Sequence, residues 1–281
     1  MSPTRPPLPP TPHAASRVAR ALTLGWSATP RGRMALGRAA SRVVRAGLRL
    51  RSRPLALGAL GSALVVATHP DDESFGCGGT LALLARGRAP VSVLVITDGS
   101  ASHPGHPTLA PAELAACRKA EARRAMESLG IDWERVTFLD ERDGTLSHLD
   151  SERSLGLVAR IAEALGRLAP RTVLLACRLD GSSEHDASFA LVSRALGSAR
   201  LTPRMLEFPV WSWWNPLLLL RPLRTCPRLW RVDIRDVSDA KARAIGAYGS
   251  QTQAIPPEAA PALPPGFASL FLGGEEYLFE A

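Results

Sequence analysis

The sequence predicts an α/β fold, with a Rossmann-like, mostly parallel sheet and helices on both faces. Three observations carry that expectation. Short β-rich runs recur from Ser62 onward, at 62–67, 91–97, 135–139, 172–176 and 205–208. Longer stretches between them carry helical start and stop signals, such as Pro111 and Glu113 before one stretch and Gly130 after it. Polar, ligand-type residues and glycines stand directly after the strands. Strands alternating with helices at this spacing mean βαβ units and a parallel sheet. In such sheets ligands bind outside the carboxyl ends of the strands.

The elements follow in order. Residues 1–30 are rich in Pro, Ala, Arg, Ser and Thr, a composition that builds little core. Residues 31–53 interleave eight Arg with Met34, Leu36, Val43, Val44, Leu48 and Leu50, which reads as a basic, partly amphipathic helix. Residues 1–55 are therefore expected to be a leader, poorly ordered or helical, and 56–281 a single α/β domain. The apolar run 55–67 is too short to span a bilayer, which takes about 20 residues. Strand 62–67 leads through Ala67-Thr68-His69-Pro70-Asp71-Asp72-Glu73 and Gly76-Cys77-Gly78-Gly79 into a helix over about 78–87. Strand 91–97 ends at Asp98-Gly99, and a polar loop with His103 and His106 precedes a helix at 111–129. Strand 135–139, the loop around Asp143-Gly144, a helix at 151–168 and strand 172–176 come next. Asp180-Gly181-Ser182-Ser183-Glu184-His185 then opens a helix at 186–199, and strand 205–208 follows. Residues 209–231 form an insertion with Trp211, Trp213, Trp214, four consecutive Leu and four Arg. It reads either as a lipid-facing lip or as a segment folded onto the core. A strand at 229–235, a helix at 238–249 and an apolar end piece at 267–279 complete the chain.

Charge separates the leader from the rest. The net charge is +8, yet residues 1–60 hold eleven Arg and no acidic residue, so the remainder carries 23 basic against 26 acidic groups. The basicity does not belong to the body, which argues against a nucleic-acid site there. The four cysteines, Cys77, Cys117, Cys177 and Cys226, have no CxxC spacing and read as reduced thiols of a cytosolic protein.

His69, Asp72 and His185 stand at the ends of the first and fourth strands and can meet at one sheet edge. Two imidazoles and a carboxylate suit zinc and leave a position open for water, whose pKa such a metal lowers toward about 7. Asp71, beside the ligand, is placed to take a proton as general base.

These motifs resemble the PIG-L/LmbE-like de-N-acetylases over about residues 62–252. The resemblance lies in Thr68-His69-Pro70-Asp71-Asp72-Glu73 with Gly78-Gly79-Thr80, and in Thr97-Asp98-Gly99. It continues through Arg118 with Glu121, Asp143-Gly144 with Leu146, and Lys241 with Tyr248, Ser250 and Gln251. It implies His69, Asp72 and His185 as ligands of Zn2+, and Asp71 as the base. It implies Arg118 and Asp143 as contacts to sugar or phosphate, and a structural role for the Tyr-x-Ser-Gln signature. The chain departs from the family at Ser182, where the pattern has a His that steadies the oxyanion; this places Ser182 among the substrate-binding positions. His103, His106 and His148 could substitute for it, though each reads better as a surface-loop residue.

The expectation is a zinc-dependent hydrolase that removes an N-acetyl group from an N-acetylglucosamine-type sugar in a glycolipid or glycoconjugate. It would be cytoplasmic, with peripheral membrane contact through the leader and 209–231. One rival is a slow or non-catalytic glycan-binding member of the family, favoured by Ser182. The other is a nucleotide-binding Rossmann protein, disfavoured because Leu81 occupies the last Gly position of GxGxxG.

Overall fold

The structure, a computed structural model, describes residues 43–281. The expected leader lies outside the described residues up to 42. Its last part is a helix over 43–51 (α1), followed by a two-residue strand β1, Arg53–Pro54.

The βα rhythm holds from there. Strands β2 (Ala63–Ala67), β3 (Val91–Thr97), β4 (Val136–Glu141), β5 (Thr172–Ala176), β6 (Arg204–Phe208), β7 (Leu229–Asp233) and β8 (Glu275–Glu280) form one sheet with β1, in the order β1-β7-β8-β6-β5-β2-β3-β4. All pairs are parallel except those of β8, which runs antiparallel to both β6 and β7. Residue alternation explains why both faces are covered. Ala63, Val65 and Ala67 of β2 enter one hydrophobic cluster, and Leu64 and Val66 enter the other. Helices α2 (Asp72–Arg86), α3 (Pro111–Leu129) and α7 (Ser238–Gly246) cover the first face, and α4 (Ser151–Leu168) and α5 (Ser183–Ala199) the second.

Local chemistry sets the helix bounds. Glu113 Oε2 accepts from the Ala110 N–H at 3.0 Å, and Gly130 takes the left-handed cap at φ 75°. Asp150 caps α4 by accepting from the Arg153 N–H at 2.9 Å. Two starts differ from the sequence reading: α2 begins at Asp72 rather than near 78, and α5 at Ser183 rather than 186. The first difference has a packing cause. A Cβ on Gly76 would lie 2.0 Å from the Phe208 ring, and one on Gly79 would lie 2.6 Å from Ile234. These glycines serve the close approach of α2 to β6 and the segment after β7, instead of making a loop.

The topology also locates a crevice. From β2 the chain steps outward to β3 and β4, and from β5 it steps the other way to β6. β2 and β5 are neighbours at the point of reversal. Loops leaving their carboxyl ends diverge to opposite faces and leave a cleft between them.

The 209–231 insertion is in part folded onto the body. Short 3-10 turns at Trp211–Trp213 and Pro216–Leu219 lead into α6, Leu220–Thr225. Trp213, Leu219 and Leu223 are buried, while Trp214, Leu217 and Leu220 are exposed. No described helix is long and apolar enough to cross a membrane.

Candidate functional site

His69 leaves β2 and His185 lies in the first turn of α5, which follows β5, so the reversal point brings them together. Their ring centroids are 5.7 Å apart. Asp72 sits between them, with Oδ2 3.4 Å from His69 Nδ1 and Oδ1 3.4 Å from His185 Nε2. The ligand atoms of the three residues all lie within 4.8 Å of one another, close enough to share one metal ion.

The far side of each imidazole meets a carboxylate. His69 Nε2 is 3.3 Å from Asp143 Oδ1, and His185 Nδ1 is 3.1 Å from Asp180 Oδ2. A carboxylate on one ring nitrogen keeps the proton there and frees the other nitrogen's lone pair. His185 Nε2 is buried and has no hydrogen-bond partner. An orphaned imidazole nitrogen facing a carboxylate and a second imidazole fits a divalent cation of zinc type. The local field agrees. Burial disfavours charge on His185, but Asp72 and Asp180 outweigh it and push its pKa up to about 9. Burial also works against the Asp143 carboxylate, yet His69 and Arg118 hold its pKa down at about 2. A field that favours a proton on these rings favours any cation in the same place.

Asp180 is itself fixed from a distance. Val210 and Trp211 N–H donate to its Oδ2 at 3.0 and 2.7 Å, and Ser212 N–H donates to Oδ1 at 2.6 Å. The start of the insertion is thus bonded to the residue that orients His185. No sequence signal beyond its place after β5 marked Asp180 for this.

Asp71 stands next to the three donors in a strained backbone, with φ at 143°. Residues persist in such conformations where their surroundings over-determine them, commonly at functional sites. Here Glu73 does so. Its Oε2 accepts from the Asp71 N–H at 3.1 Å, and its Oε1 accepts from the Tyr248 and Ser74 hydroxyls at 2.5 and 2.8 Å. Burial raises the Asp71 carboxyl to about 7, against the pull of Arg118. Arg118 is only 2% exposed. Its guanidinium donates to Asp71 Oδ2 at 2.9 Å, to the Gly99 carbonyl at 3.1 Å and to the Pro70 carbonyl. Arg118 and Asp143, expected to touch sugar or phosphate, therefore have protein partners, Asp71 and His69. Ser182 is the N-cap of α5, its hydroxyl accepting from the His185 N–H at 3.4 Å. Glu184 accepts from Leu146 and Ser147 N–H at 3.4 and 3.2 Å.

Of the three other histidines weighed, none joins the cluster that holds His69, Asp72 and His185. His103, read as a surface-loop residue, is instead buried between Glu258, 2.5 Å away, and the Ser250 carbonyl, 2.7 Å away. His106 Nδ1 accepts from the Leu109 N–H at 3.0 Å, and His148 is exposed.

A second support escaped the sequence reading. At Cys77 the backbone of α2 leaves helical geometry, and a new helical turn begins beyond it. Its free N–H groups at Gly79 and Thr80 donate to Glu276 at 2.7 and 2.8 Å, and the Thr80 hydroxyl donates at 2.6 Å. Lys241 Nζ lies 2.6 Å from the same carboxylate. Glu276 therefore caps a broken helix, satisfying donors that a helix start leaves open. Ser250 serves Glu121 in the same manner, with N–H and hydroxyl donating at 2.7 and 2.6 Å.

Residues 64–196 match the family model described as PIG-L, GlcNAc-PI de-N-acetylase. Over that segment the chain is similar to the PIG-L family. A stretch of 85 residues is 44% identical to a 1D-myo-inositol 2-acetamido-2-deoxy-alpha-D-glucopyranoside deacetylase of Kineococcus radiotolerans, spanning 29% of this chain and 23% of that relative. The probable N-acetyl-alpha-D-glucosaminyl L-malate deacetylase 2 of Bacillus subtilis is 29% identical over 195 residues, which are 68% of this chain and 84% of the relative. Among solved structures, the N,N'-diacetylchitobiose deacetylase of Pyrococcus horikoshii superposes with a TM-score of 0.52 at 19% identity, covering 82% of each chain, which shows a shared fold. The matched segment runs from β2 into α5 and includes His69, Asp72 and His185.

Proposed function

We propose that this protein is a zinc-dependent hydrolase that removes an N-acetyl group from an amino sugar of N-acetylglucosamine type, free or lipid-linked. The observation that carries the reading is the convergence of His69, Asp72 and His185, with His185 Nε2 buried and unpartnered. The deacetylases named among its relatives support the reaction class.

His69, Asp72 and His185 would hold the metal. When bound, zinc supplies Lewis acidity, easing the ionisation of water near neutral pH and polarising the acetyl carbonyl. Asp71 accepts the proton of the attacking water and returns it to the sugar nitrogen as the C–N bond breaks, so that water and amide become acetate and amine. Arg118 fixes one Asp71 oxygen through the 2.9 Å bond and leaves the second to work. Asp143 and Asp180 set the rings of His69 and His185. Ser182 offers one hydroxyl in place of an imidazole. A hydroxyl can donate a hydrogen bond but is a poor acid at neutral pH.

That last feature favours a second reading, a slow or glycan-binding member of the family. One experiment separates the two. Metal content is measured on the purified full chain, and acetate release is followed from N-acetylglucosamine conjugates. The hydrolase reading expects stoichiometric zinc and multiple turnovers. Binding of the conjugate without acetate release supports the second reading. Stoichiometric zinc in a His69→Ala/Asp72→Ala variant sinks the metal assignment.

A further inference from the structure

We infer that the 209–225 segment together with α1 forms a docking surface for anionic phospholipid bilayers, set beside the mouth of the metal site. Three independent features meet in this surface.

The first is exposed apolar bulk of the kind that enters a membrane interface. Trp214 is 42% exposed, Leu217 65% and Leu220 39%, all within seven residues of one another. Their neighbours are not loose. Trp214 and Trp211 tilt against Phe267, at 6.2 and 5.0 Å between ring centroids, and Leu219 and Leu223 are buried. A buried base thus presents an apolar edge to solvent. Aromatic and leucine side chains flanked by basic residues are the signature of a segment that lies in the headgroup region.

The second is charge. Residues 209–231 contain Arg221, Arg224, Arg228 and Arg231 and no acidic residue. Arg221 and Arg224, in α6, are exposed within one turn of Leu220. Helix α1 adds to the same surface. Arg45 stacks over the Trp213 ring, 4.0 Å from its centroid, and Arg51 donates to the Leu223 carbonyl. α1 brings its own exposed Val43, Arg49, Leu50 and Arg51 alongside. The segment and α1 contribute only basic charges, with Arg49 paired to Glu275 at 3.0 Å and Arg228 to Glu280 at 3.4 Å, and the exposed Arg221 and Arg224 beside the apolar tips match a negatively charged bilayer. A neutral bilayer would offer Arg221 and Arg224 no anionic partner.

The third is position. The segment leaves the carboxyl end of β6, next to β5, at the sheet edge where His69 and His185 meet. Its first residues are bonded to Asp180, and a Cβ on Gly181 would lie 2.8 Å from Leu218 Cδ1, so the segment is seated on the loop that opens α5. Docking through Trp214, Leu217 and Leu220 would therefore hold the metal site near the headgroups. Such docking bears on the proposed reaction only by bringing membrane-borne substrate within reach, and vesicle binding is read without turnover.

The test is co-sedimentation of the full chain with sucrose-loaded vesicles of phosphatidylcholine alone, and of phosphatidylcholine with a third phosphatidylglycerol. Wild type is expected to pellet with the anionic vesicles only, and to release as salt shortens the screening length. Arg221→Gln/Arg224→Gln is expected to weaken binding about thirtyfold, and Leu217→Ser/Leu220→Ser at least tenfold. Phosphatidylglycerol with brominated chains should quench tryptophan emission in wild type and less so in Trp214→Phe. Circular dichroism confirms that each variant is folded. Equal binding to neutral and anionic vesicles overturns the docking surface. So does undiminished binding of both double variants, because the arginines of residues 1–42 would then account for the attachment alone.

Discussion

Removing Glu276 would strand four buried groups at once. In Glu276→Ala the Gly79 and Thr80 N–H groups, the Thr80 hydroxyl and the Lys241 ammonium all lose their partner. Deleting one member of a buried ion pair costs about 3–5 kcal/mol. Each buried donor left open costs about 1–3 kcal/mol, and water entering the vacated space recovers part of this. A loss of about 5 kcal/mol is expected, which is a large share of the usual 5–15 kcal/mol stability of a domain. Lys241→Met is the control. It removes the ammonium but leaves the carboxylate on its three donors, so it should cost about 3 kcal/mol. Urea unfolding, followed by tryptophan fluorescence and far-ultraviolet circular dichroism, gives both values by linear extrapolation. The order is the decisive result. If Lys241→Met destabilises as much as Glu276→Ala, the carboxylate is not serving as the cap of the broken helix.

Three further outcomes are expected. Asp71→Asn should keep the metal and lose about 10²–10⁴ in turnover, the usual worth of a positioned acid–base group; an unchanged rate removes Asp71 from the chemistry. Asp180→Asn should weaken zinc affinity about 10–100-fold by chelator competition, as loss of a carboxylate behind a ligand imidazole does; unaltered affinity would assign Asp180 to the insertion alone. Ser182→His should raise acetate release by about 10²–10³, the typical worth of an oxyanion donor, while costing about 1 kcal/mol as the N-cap is lost. No gain in rate would show that the hydroxyl is not what limits turnover.

Much of this architecture could be read from residue order. Pro111 and Gly130 bracket α3 at the bounds expected, because a fixed φ at one end and a left-handed glycine at the other are local signals. The runs at 91–97 and 172–176 are strands throughout, since their alternate residues must face two clusters. The strand-end positions of His69 and His185 also implied a common edge, and β2 and β5 are indeed adjacent. What the residues could not reveal was non-local. Gly76 and Gly79 look like loop glycines until Phe208 and Ile234 are seen against them. Glu276 and Lys241 are 35 positions apart, and neither has a neighbour that betrays the pairing. His103 reads as a surface residue of its loop because Glu258, its partner, belongs to a Pro-rich stretch with no periodic signal of its own.

Strand β8 carries a consequence for synthesis. In the finished sheet β7 is joined to β6 only through β8, and β1 only through β7. A ribosome delivers Leu229–Asp233 well before Glu275–Glu280, so β7 and β1 can join the central five strands only after those later residues emerge. The same late strand brings Glu276 to α2, one of the first elements made. The helix that follows Asp72 thus has its inner turn capped only once Glu275–Glu280 has emerged, so the last step of closing the sheet and the capping of that helix depend on the same short strand.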